Sequence, residues 1–302
     1  MTPPPTTSSP CREKLLDFDR LRETRAASPE AIAEGYRSRV RRDLRASDGG
    51  LLIIDADLAR RPPSHECRSS EIGRYRLLAR LATALEMPGV DGVLATPDIL
   101  DDLVMLGALE EKVAVSSLDP AGPADAPFVT GNGLTSSTVR AVREARLDMA
   151  KLSLCIDLAD ARTAALLERA GRVVTEASQS GLRVLIEIIS TRRGDPATED
   201  DEAEALMRSV SIAAGLGGGS AASWLLLPAA GANVLAATTL PVLLRKTERD
   251  AANGAVGATA ASAAHHGVCG RVVDASVLFP RDGDFLRSVG QAVSTVQRVK
   301  PR

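Results

Sequence analysis

Short apolar segments alternate with longer amphipathic or polar segments eight times between Leu51 and Val296. Several of the apolar segments are almost continuously apolar, as parallel strands buried on both faces are. Eight strand–helix units in a chain of 302 residues favour closure into a barrel over a doubly wound open sheet. No GxGxxG motif follows the first strand, which also disfavours a dinucleotide-binding fold. The sequence therefore predicts an α/β chain folded as a (β/α)8 TIM barrel.

The predicted strands cover 51–55, 89–95, 112–116, 150–156, 182–189, 222–227, 241–244 and 268–273. The predicted helices, including a weak turn or helix at 230–236, cover 73–86, 97–108, 135–146, 159–179, 201–214, 230–236, 249–265 and 284–297. The barrel domain is assigned to 49–302. Before it, a Pro-, Ser- and Thr-rich segment (1–10) predicts disorder. Residues 11–48 predict a helical extension that covers the barrel floor or packs on its outside. Its second helix is predicted from Ile32, Tyr36, Val40 and Leu44, which follow one another at intervals of four residues.

Charge and composition limit the partners of the chain. The formal net charge of −2 gives no basic field for nucleic acid or an anionic membrane. The chain has no run of 18 apolar residues and begins without an apolar signal core, which predicts a cytoplasmic protein. The four cysteines show no CxxC spacing, which disfavours a cysteine metal or redox site. No cofactor is predicted. A small-molecule ligand is the expected partner.

Charged residues near the predicted strand ends are the candidate catalytic groups, because TIM-barrel sites lie at the carboxyl ends of the strands. Glu187 stands in an apolar strand, where an uncompensated carboxylate is very costly, and Lys151 lies on the neighbouring strand. Alternation along that strand puts Lys151, Ser153, Cys155 and Asp157 on one polar face. Lys151 and Glu187 are either members of a site or a structural ion pair. Asp55 and Asp57, at and after the end of the first strand, complete the catalytic set.

Four further residues are predicted to bind substrate. Arg192 follows the fifth strand and Ser276 follows the eighth. Arg245 and Lys246 are placed in the loop after the seventh strand, where barrels often bind phosphate. The alternative for this basic pair is an exposed, solvated position.

Seven segments of the barrel together form a specific pattern. They are Pro88-Gly-Val-Asp-Gly-Val-Leu-Ala-Thr-Pro-Asp98, Asp101-Asp-Leu-Val-Met-Leu-Gly-Ala-Leu109, the Lys151 strand, Arg208-Ser-Val-Ser-Ile-Ala-Ala-Gly-Leu216, Ser223-Trp-Leu-Leu-Leu-Pro228, Ala237-Thr-Thr-Leu-Pro241 and Leu278-Phe-Pro-Arg-Asp-Gly-Asp284. Through these segments the chain resembles class I aldolase-type barrels of the deoxyribose-phosphate and tagatose-bisphosphate aldolase kind. It looks closest to an actinobacterial aldolase-like family found in inositol-catabolism gene clusters.

The resemblance implies an aldol or retro-aldol reaction on a sugar or sugar phosphate, with Lys151 and Glu187 at positions that handle protons and substrate oxygens. It also implies a Schiff-base lysine on the sixth strand, where Trp224 and Leu226 stand instead. The strand-one motif of the nearest relatives, Asp-His, reads Asp55-Ala-Asp57 here. Their Gly-Arg phosphate contact reads Asp274-Ala275, which would repel a phosphate.

Three interpretations remain open at this stage. The first is a diverged aldehyde-lyase that uses Lys151 as the amine with help from Glu187. The second is a catalytically degenerate barrel that acts as a binding or regulatory protein, as a homo-oligomer or with an active paralogue. The third is an enzyme in which Asp55, Asp57, Glu187 and Asp274 gather a divalent metal. The apolar sixth strand favours the second interpretation.

Overall fold

Eight parallel strands close into one barrel in chain order, with the eighth strand paired to the first. The computed structural model describes residues 14–44, 50–57, 73–119, 136–189, 199–246, 267–280 and 283–297. The strands are β1 (Leu51–Asp55), β2 (Gly92–Ala95), β3 (Val113–Ser117), β4 (Met149–Cys155), β5 (Arg183–Ile189), β6 (Ser223–Leu227), β7 (Val242–Lys246) and β8 (Val268–Asp274). The predicted (β/α)8 barrel is confirmed.

Helices surround the barrel. Those described are α1 (Phe18–Ala27), α2 (Glu30–Ser38), α3 (Arg74–Glu86), α4 (Pro97–Met105), α5 (Val139–Glu144), α6 (Arg162–Ser180), α7 (Glu199–Ala214), α8 (Ala232–Leu235), a short 3-10 helix (Ala275–Leu278) and α9 (Phe285–Gln297). The predicted helix at 249–265 and the predicted disordered segment 1–10 lie outside the described residues. No helix in the described ranges is both long and apolar enough to span a membrane.

The barrel interior is apolar toward the amino ends of the strands. Alternation along each strand sends every second side chain inward. The inward apolar residues form a core separate from the layer between barrel and helices, and its members are Leu44, Leu51, Ile53, Leu94, Val113, Val115, Met149, Leu185, Leu226, Leu243 and Val272. At the first residue of β2, Gly92 permits a close approach to β3, since a Cβ there would lie 2.2 Å from the carbonyl oxygen of Val113.

The extension before the barrel divides into two parts with different positions. Helices α1 and α2 pack outside the barrel against α4: Arg25 pairs with Asp102 at 2.7 Å, and the Tyr36 hydroxyl donates to Asp101 at 3.0 Å. After Ser38 the chain becomes extended, so the helix expected to continue through Leu44 ends earlier. Both predicted positions of the extension therefore occur: α1 and α2 pack on the outside of the barrel, and the residues after Ser38 lie at its floor.

We call residues 39–44 the floor segment, because they contact the amino ends of the strands. Arg39 and Arg41 both pair with Asp148, the residue before β4, and Arg42 pairs with Asp91, the residue before β2. Leu44 joins the apolar core inside the barrel. Tertiary contacts thus override the helical spacing of Val40 and Leu44, because an extended chain reaches both aspartates and the core.

Candidate active site

Lys151 lies at the centre of a buried charged cluster in the barrel. Its side chain is fully buried on the inward face of β4. The Nζ atom lies 2.6 Å from Asp119 Oδ2, 3.2 Å from Glu187 Oε2 and 3.8 Å from Asp57 Oδ2. The structure therefore brings together three of the four predicted catalytic residues, Lys151, Glu187 and Asp57. Three carboxylates within 4 Å favour the charged ammonium form of the lysine.

Asp119 was missed by the sequence analysis. It lies just past the end of β3 and is 3% exposed. Its Oδ1 accepts the Ser153 N–H at 2.7 Å, and its Oδ2 accepts the Ser153 hydroxyl at 2.8 Å. Ser117 also donates to Oδ2, at 3.4 Å. A carboxylate two residues after the last residue of a strand was the available signal, the same position that singled out Asp57 after β1.

Arg245 connects the fourth carboxylate, Asp55, to Glu187. Its Nη1 donates to Asp55 Oδ2 at 2.8 Å, and its Nε lies 2.7 Å from Glu187 Oε1. Although burial disfavours its charge, the carboxylates of Glu187 and Asp55 raise the pKa of Arg245 above its ordinary value. The predicted loop position of Arg245 is wrong, because β7 continues to Lys246 and its alternation turns Arg245 inward. The exposed, solvated position considered for Arg245 is wrong for the same reason.

Glu187 receives contacts from three sides. Besides Lys151 and Arg245, the Ser153 hydroxyl lies 2.8 Å from its Oε2. Ser153 and Glu187 are register partners on β4 and β5, so the pairing of these strands places both side chains at one height in the barrel. Because the Ser153 hydroxyl proton is donated to Asp119, the two cations beside Glu187 supply the compensation that its apolar strand requires.

Asp57 is a buried carboxyl beside both Asp55 and Lys151. Its backbone N–H donates to Asp55 Oδ1 at 2.9 Å, which places it beside the end of β1. Burial raises the pKa of Asp57, and the charge of Lys151 only partly offsets that effect. Asp55, Asp57, Asp119 and Glu187 together exceed the two cations Lys151 and Arg245 in charge. The raised pKa of Asp57 makes it the carboxyl of this cluster that we consider as a proton donor.

The structure describes two of the other three predicted substrate-binding residues, Lys246 and Ser276. Lys246 ends β7 and is partly exposed. Ser276 lies in the 3-10 helix after β8, and its N–H donates to Asp274 Oδ1 at 2.9 Å. Arg192 lies outside the described residues.

The metal-centred interpretation does not fit the donor set. Its four carboxylates would have to converge on one cation, yet Asp55 and Glu187 face Arg245, and Asp57 and Glu187 face Lys151. Within the described ranges, no group of three or more His, Cys, Asp or Glu residues has the arrangement of a metal site.

Strand β6 supplies apolar side chains beside this cluster. Leu226 is the register partner of Glu187 and is fully buried in the inner core. Trp224 pairs with Leu185, closer to the amino end of the barrel. The resemblance implied a Schiff-base lysine at position 224 or 226. Of these two positions, only that of Leu226 lies at the same height in the barrel as Glu187.

Comparison with known proteins places the chain in a family. Residues 49–293 match the family model described as Cgl0159-like. The crystal structure of Cgl0159 from Corynebacterium glutamicum shares 35% identity over 92% of this chain and 96% of that chain, with a TM-score of 0.81.

More distant structures share the fold. A Schiff-base-forming fructose-1,6-bisphosphate aldolase matches with 15% identity over 88% of this chain and 99% of its own, with a TM-score of 0.56. The fructose-bisphosphate aldolase of Slackia heliotrinireducens matches with 12% identity over 91% and 88%, with a TM-score of 0.61. None of the curated proteins matches this sequence. The chain has an aldolase-like TIM-barrel fold and belongs to the Cgl0159-like family.

Proposed function

We propose that this protein is an aldolase-type carbon–carbon lyase in which the ε-amine of Lys151 forms a Schiff base with the substrate carbonyl. The observation that carries the proposal is the 2.6 Å distance between Lys151 Nζ and Asp119 Oδ2. An activated nucleophile is typically within reach of a base that a third group holds in place. Here Ser153 holds Asp119 through both its N–H and its hydroxyl.

The residues of the cluster can perform each proton transfer of the reaction. Asp119 accepts a proton from the Lys151 ammonium, and the free amine adds to the carbonyl carbon to give a carbinolamine. Asp57, whose pKa is raised by burial, protonates the departing hydroxyl, and water leaves as the iminium forms.

Cleavage then follows on the iminium. Glu187 removes the proton of the β-hydroxyl, the Cα–Cβ bond breaks, and its electron pair passes to the iminium to give an enamine and a free aldehyde. Protonation of the enamine carbon and addition of water release the second product and restore Lys151. Arg245, whose Nε lies 2.7 Å from Glu187 Oε1, holds Glu187 in place for its removal of the β-hydroxyl proton.

The proposed substrates are hydroxylated carbonyl compounds of carbohydrate metabolism. Support for this class comes from the shared fold with fructose-bisphosphate aldolases and is analogy, since one barrel fold hosts many activities. The chemistry of the cluster supports the reaction type independently. It contains an amine, oriented carboxylates and a carboxyl with a raised pKa at the end of the barrel where such enzymes place their sites.

A second candidate is a non-catalytic barrel that acts as a binding or regulatory protein, as a homo-oligomer or beside an active paralogue. The observation that favours it is the full burial of Lys151 against three carboxylates, next to an apolar β6. In this case the cluster is a structural ion network that stabilises the barrel and never releases an amine.

Borohydride trapping separates the two candidates. The protein is incubated with glyceraldehyde, dihydroxyacetone, deoxyribose and their phosphates, reduced, digested and analysed by mass spectrometry. The chain has only five lysines, so each can be scored. The lyase proposal expects an adduct on Lys151 that is lost in Lys151→Met and retained in Lys246→Met.

Asp119→Asn is the variant that keeps the amine. We expect it to slow trapping by about a hundredfold or more, because it removes the base, while the circular dichroism spectrum stays native. An adduct that persists in Lys151→Met, or no adduct with any compound, contradicts the lyase proposal and leaves the non-catalytic barrel.

A further inference from the structure

Ser153 lies between the two carboxylates that the proposed reaction uses as bases. Its hydroxyl oxygen is 2.8 Å from Asp119 Oδ2 and 2.8 Å from Glu187 Oε2. Ser153 is 6% exposed, and its backbone N–H holds Asp119 Oδ1 at 2.7 Å. Three buried oxygens on the ends of β3, β4 and β5 are therefore joined by short contacts.

A hydroxyl in this position can carry a proton from one carboxylate to the other. It has one proton to donate and lone pairs with which to accept, so it bonds to both carboxyls at once when one of them is protonated. While both are ionised, Ser153 donates to Asp119. When Glu187 gains a proton, Glu187 can donate to Ser153 while Ser153 still donates to Asp119. Each proton then needs to shift only across its own hydrogen bond.

The Lys151 ammonium contacts the same two oxygens in the resting site. Its Nζ lies 2.6 Å from Asp119 Oδ2 and 3.2 Å from Glu187 Oε2. An ammonium has three protons to donate, but an iminium nitrogen has at most one and no free lone pair to accept another. A proton therefore cannot pass through Lys151 while the Schiff base exists, whereas the Ser153 hydroxyl still joins the two carboxyls.

We propose that Ser153 relays a proton from Glu187 to Asp119 after the carbon–carbon bond has broken. The proposal rests on the lyase function proposed above and adds a residue to its proton path. After cleavage, Glu187 holds the proton of the β-hydroxyl. Asp119 has given the enamine carbon the proton that it took from the Lys151 ammonium. In the relay the Glu187 Oε2–H bond breaks as a new Ser153 Oγ–H bond forms, and the former Ser153 proton passes to Asp119 Oδ2.

The relay returns every group to its starting protonation state. Water adds to the iminium and gives a proton to Asp57, which restores its acid form. As the carbonyl forms again, the carbinolamine hydroxyl proton passes to the departing nitrogen and Asp119 adds the relayed proton, so Lys151 leaves as an ammonium. Glu187 is then ionised and ready for the next substrate. Asp119 suits this last transfer because it is the nearer of the two carboxylates to Lys151 Nζ.

Ser153→Ala separates the relay from Schiff-base formation. The variant keeps the backbone N–H that holds Asp119, so the rate of borohydride-trapped adduct on Lys151 should change little. Cleavage of deoxyribose and deoxyribose 5-phosphate, followed as release of glyceraldehyde or its phosphate, should fall by about a hundredfold, the scale of a lost proton transfer. Ser153→Thr restores a hydroxyl and should recover most of the cleavage rate.

Ser117→Ala is the matched control. Ser117 also donates to Asp119 Oδ2, at 3.4 Å, but it lies on β3, two strands away from Glu187. We expect this variant to keep the ratio of cleavage rate to trapping rate that the natural protein has. A proton inventory of the natural protein, measured as cleavage in mixtures of H2O and D2O, needs no substitution and should curve because two protons move together.

The other outcomes count against the relay. Equal falls of trapping and cleavage in Ser153→Ala would mean that Ser153 only positions Asp119, and unchanged cleavage would mean that another path carries the proton. A linear proton inventory contradicts the joint movement of two protons. An adduct without cleavage by the natural protein overturns the relay and leaves the Schiff base standing. If no compound forms an adduct, the lyase function fails together with the relay.

Discussion

Arg39 and Arg41 contact the same carboxylate from different environments, which makes their substitution a matched test of what holds the barrel floor. The Arg39 side chain is 0% exposed and its Nη2 lies 2.9 Å from Asp148 Oδ2, whereas the Arg41 side chain is 40% exposed and its Nε lies 2.9 Å from Oδ1. Arg39 also donates to the backbone carbonyls of Lys112 and Arg146, at 3.2 and 2.9 Å.

The expected losses of unfolding free energy follow from these environments. Removing one partner of a buried ion pair costs about 3–5 kcal/mol. In Arg39→Met, Asp148 keeps Arg41 and the Ala114 N–H, so we expect the lower end, about 3 kcal/mol. In Arg41→Met, a half-exposed pair is lost and the buried one remains, so we expect less than about 1 kcal/mol.

Urea unfolding followed by far-ultraviolet circular dichroism measures both losses, provided the slope of each transition matches that of the natural protein. Equal losses in the two variants, or a larger loss in Arg41→Met, would refute the assignment of floor stability to the buried pair. Enzyme activity has no part in this measurement, so the result stands whichever function is correct.

Two further predictions concern the cluster and the closure of the barrel. Burial raises the pKa of Asp57, so the folded state binds this proton more tightly than the unfolded state. The contribution of Asp57 to the free energy of unfolding is therefore most favourable below the ordinary aspartate pKa of about 3.9. This contribution is lost as the pH rises through the pKa that Asp57 has in the folded state. We measure the free energy of unfolding by urea unfolding at a series of pH values. Above about pH 4 this free energy should fall less steeply with pH in Asp57→Asn than in the natural protein, and an equal pH dependence of the two proteins contradicts the prediction. Gly92→Ala should destabilise the barrel by at least about 2 kcal/mol, since the new Cβ would lie 2.2 Å from the Val113 carbonyl oxygen. In the control Gly73→Ala, no described residue other than the chain neighbours lies within 4 Å of the new Cβ, and the melting temperature should change little. Equal shifts in the two variants would rule out this explanation.

Sequence patterns were sufficient to predict the barrel fold and to suggest that Lys151 contacts Glu187. Hydrophobic periodicity is a local property, and eight repeats of it allow few alternatives to a closed barrel. Alternation along the fourth strand assigned Lys151 to its polar face, and the neighbouring fifth strand carried a carboxylate that required a partner. Both inferences need only the period of a strand and the cost of burying a charge.

Other parts of the site depend on where strands and helices end, which local patterns locate poorly. Asp119 was overlooked because nothing near it in sequence shows that Ser153, 34 positions away, donates to it twice. The helix predicted through Leu44 ends at Ser38 because contacts of residues 39–44 with the strand ends outweigh helical spacing.

The sequence by itself determined the architecture, the polar face of β4 and the apolar character of β6, since each follows from side chains read at the period of a helix or a strand. The tertiary structure alone decided that Arg245 is a buried member of the cluster, because β7 gains residues by pairing with β8 as far as Lys246 and Val273. It also decided that Asp274 caps the helix after β8. These features arise from non-local hydrogen bonds and ion pairs that exist only once the barrel has closed.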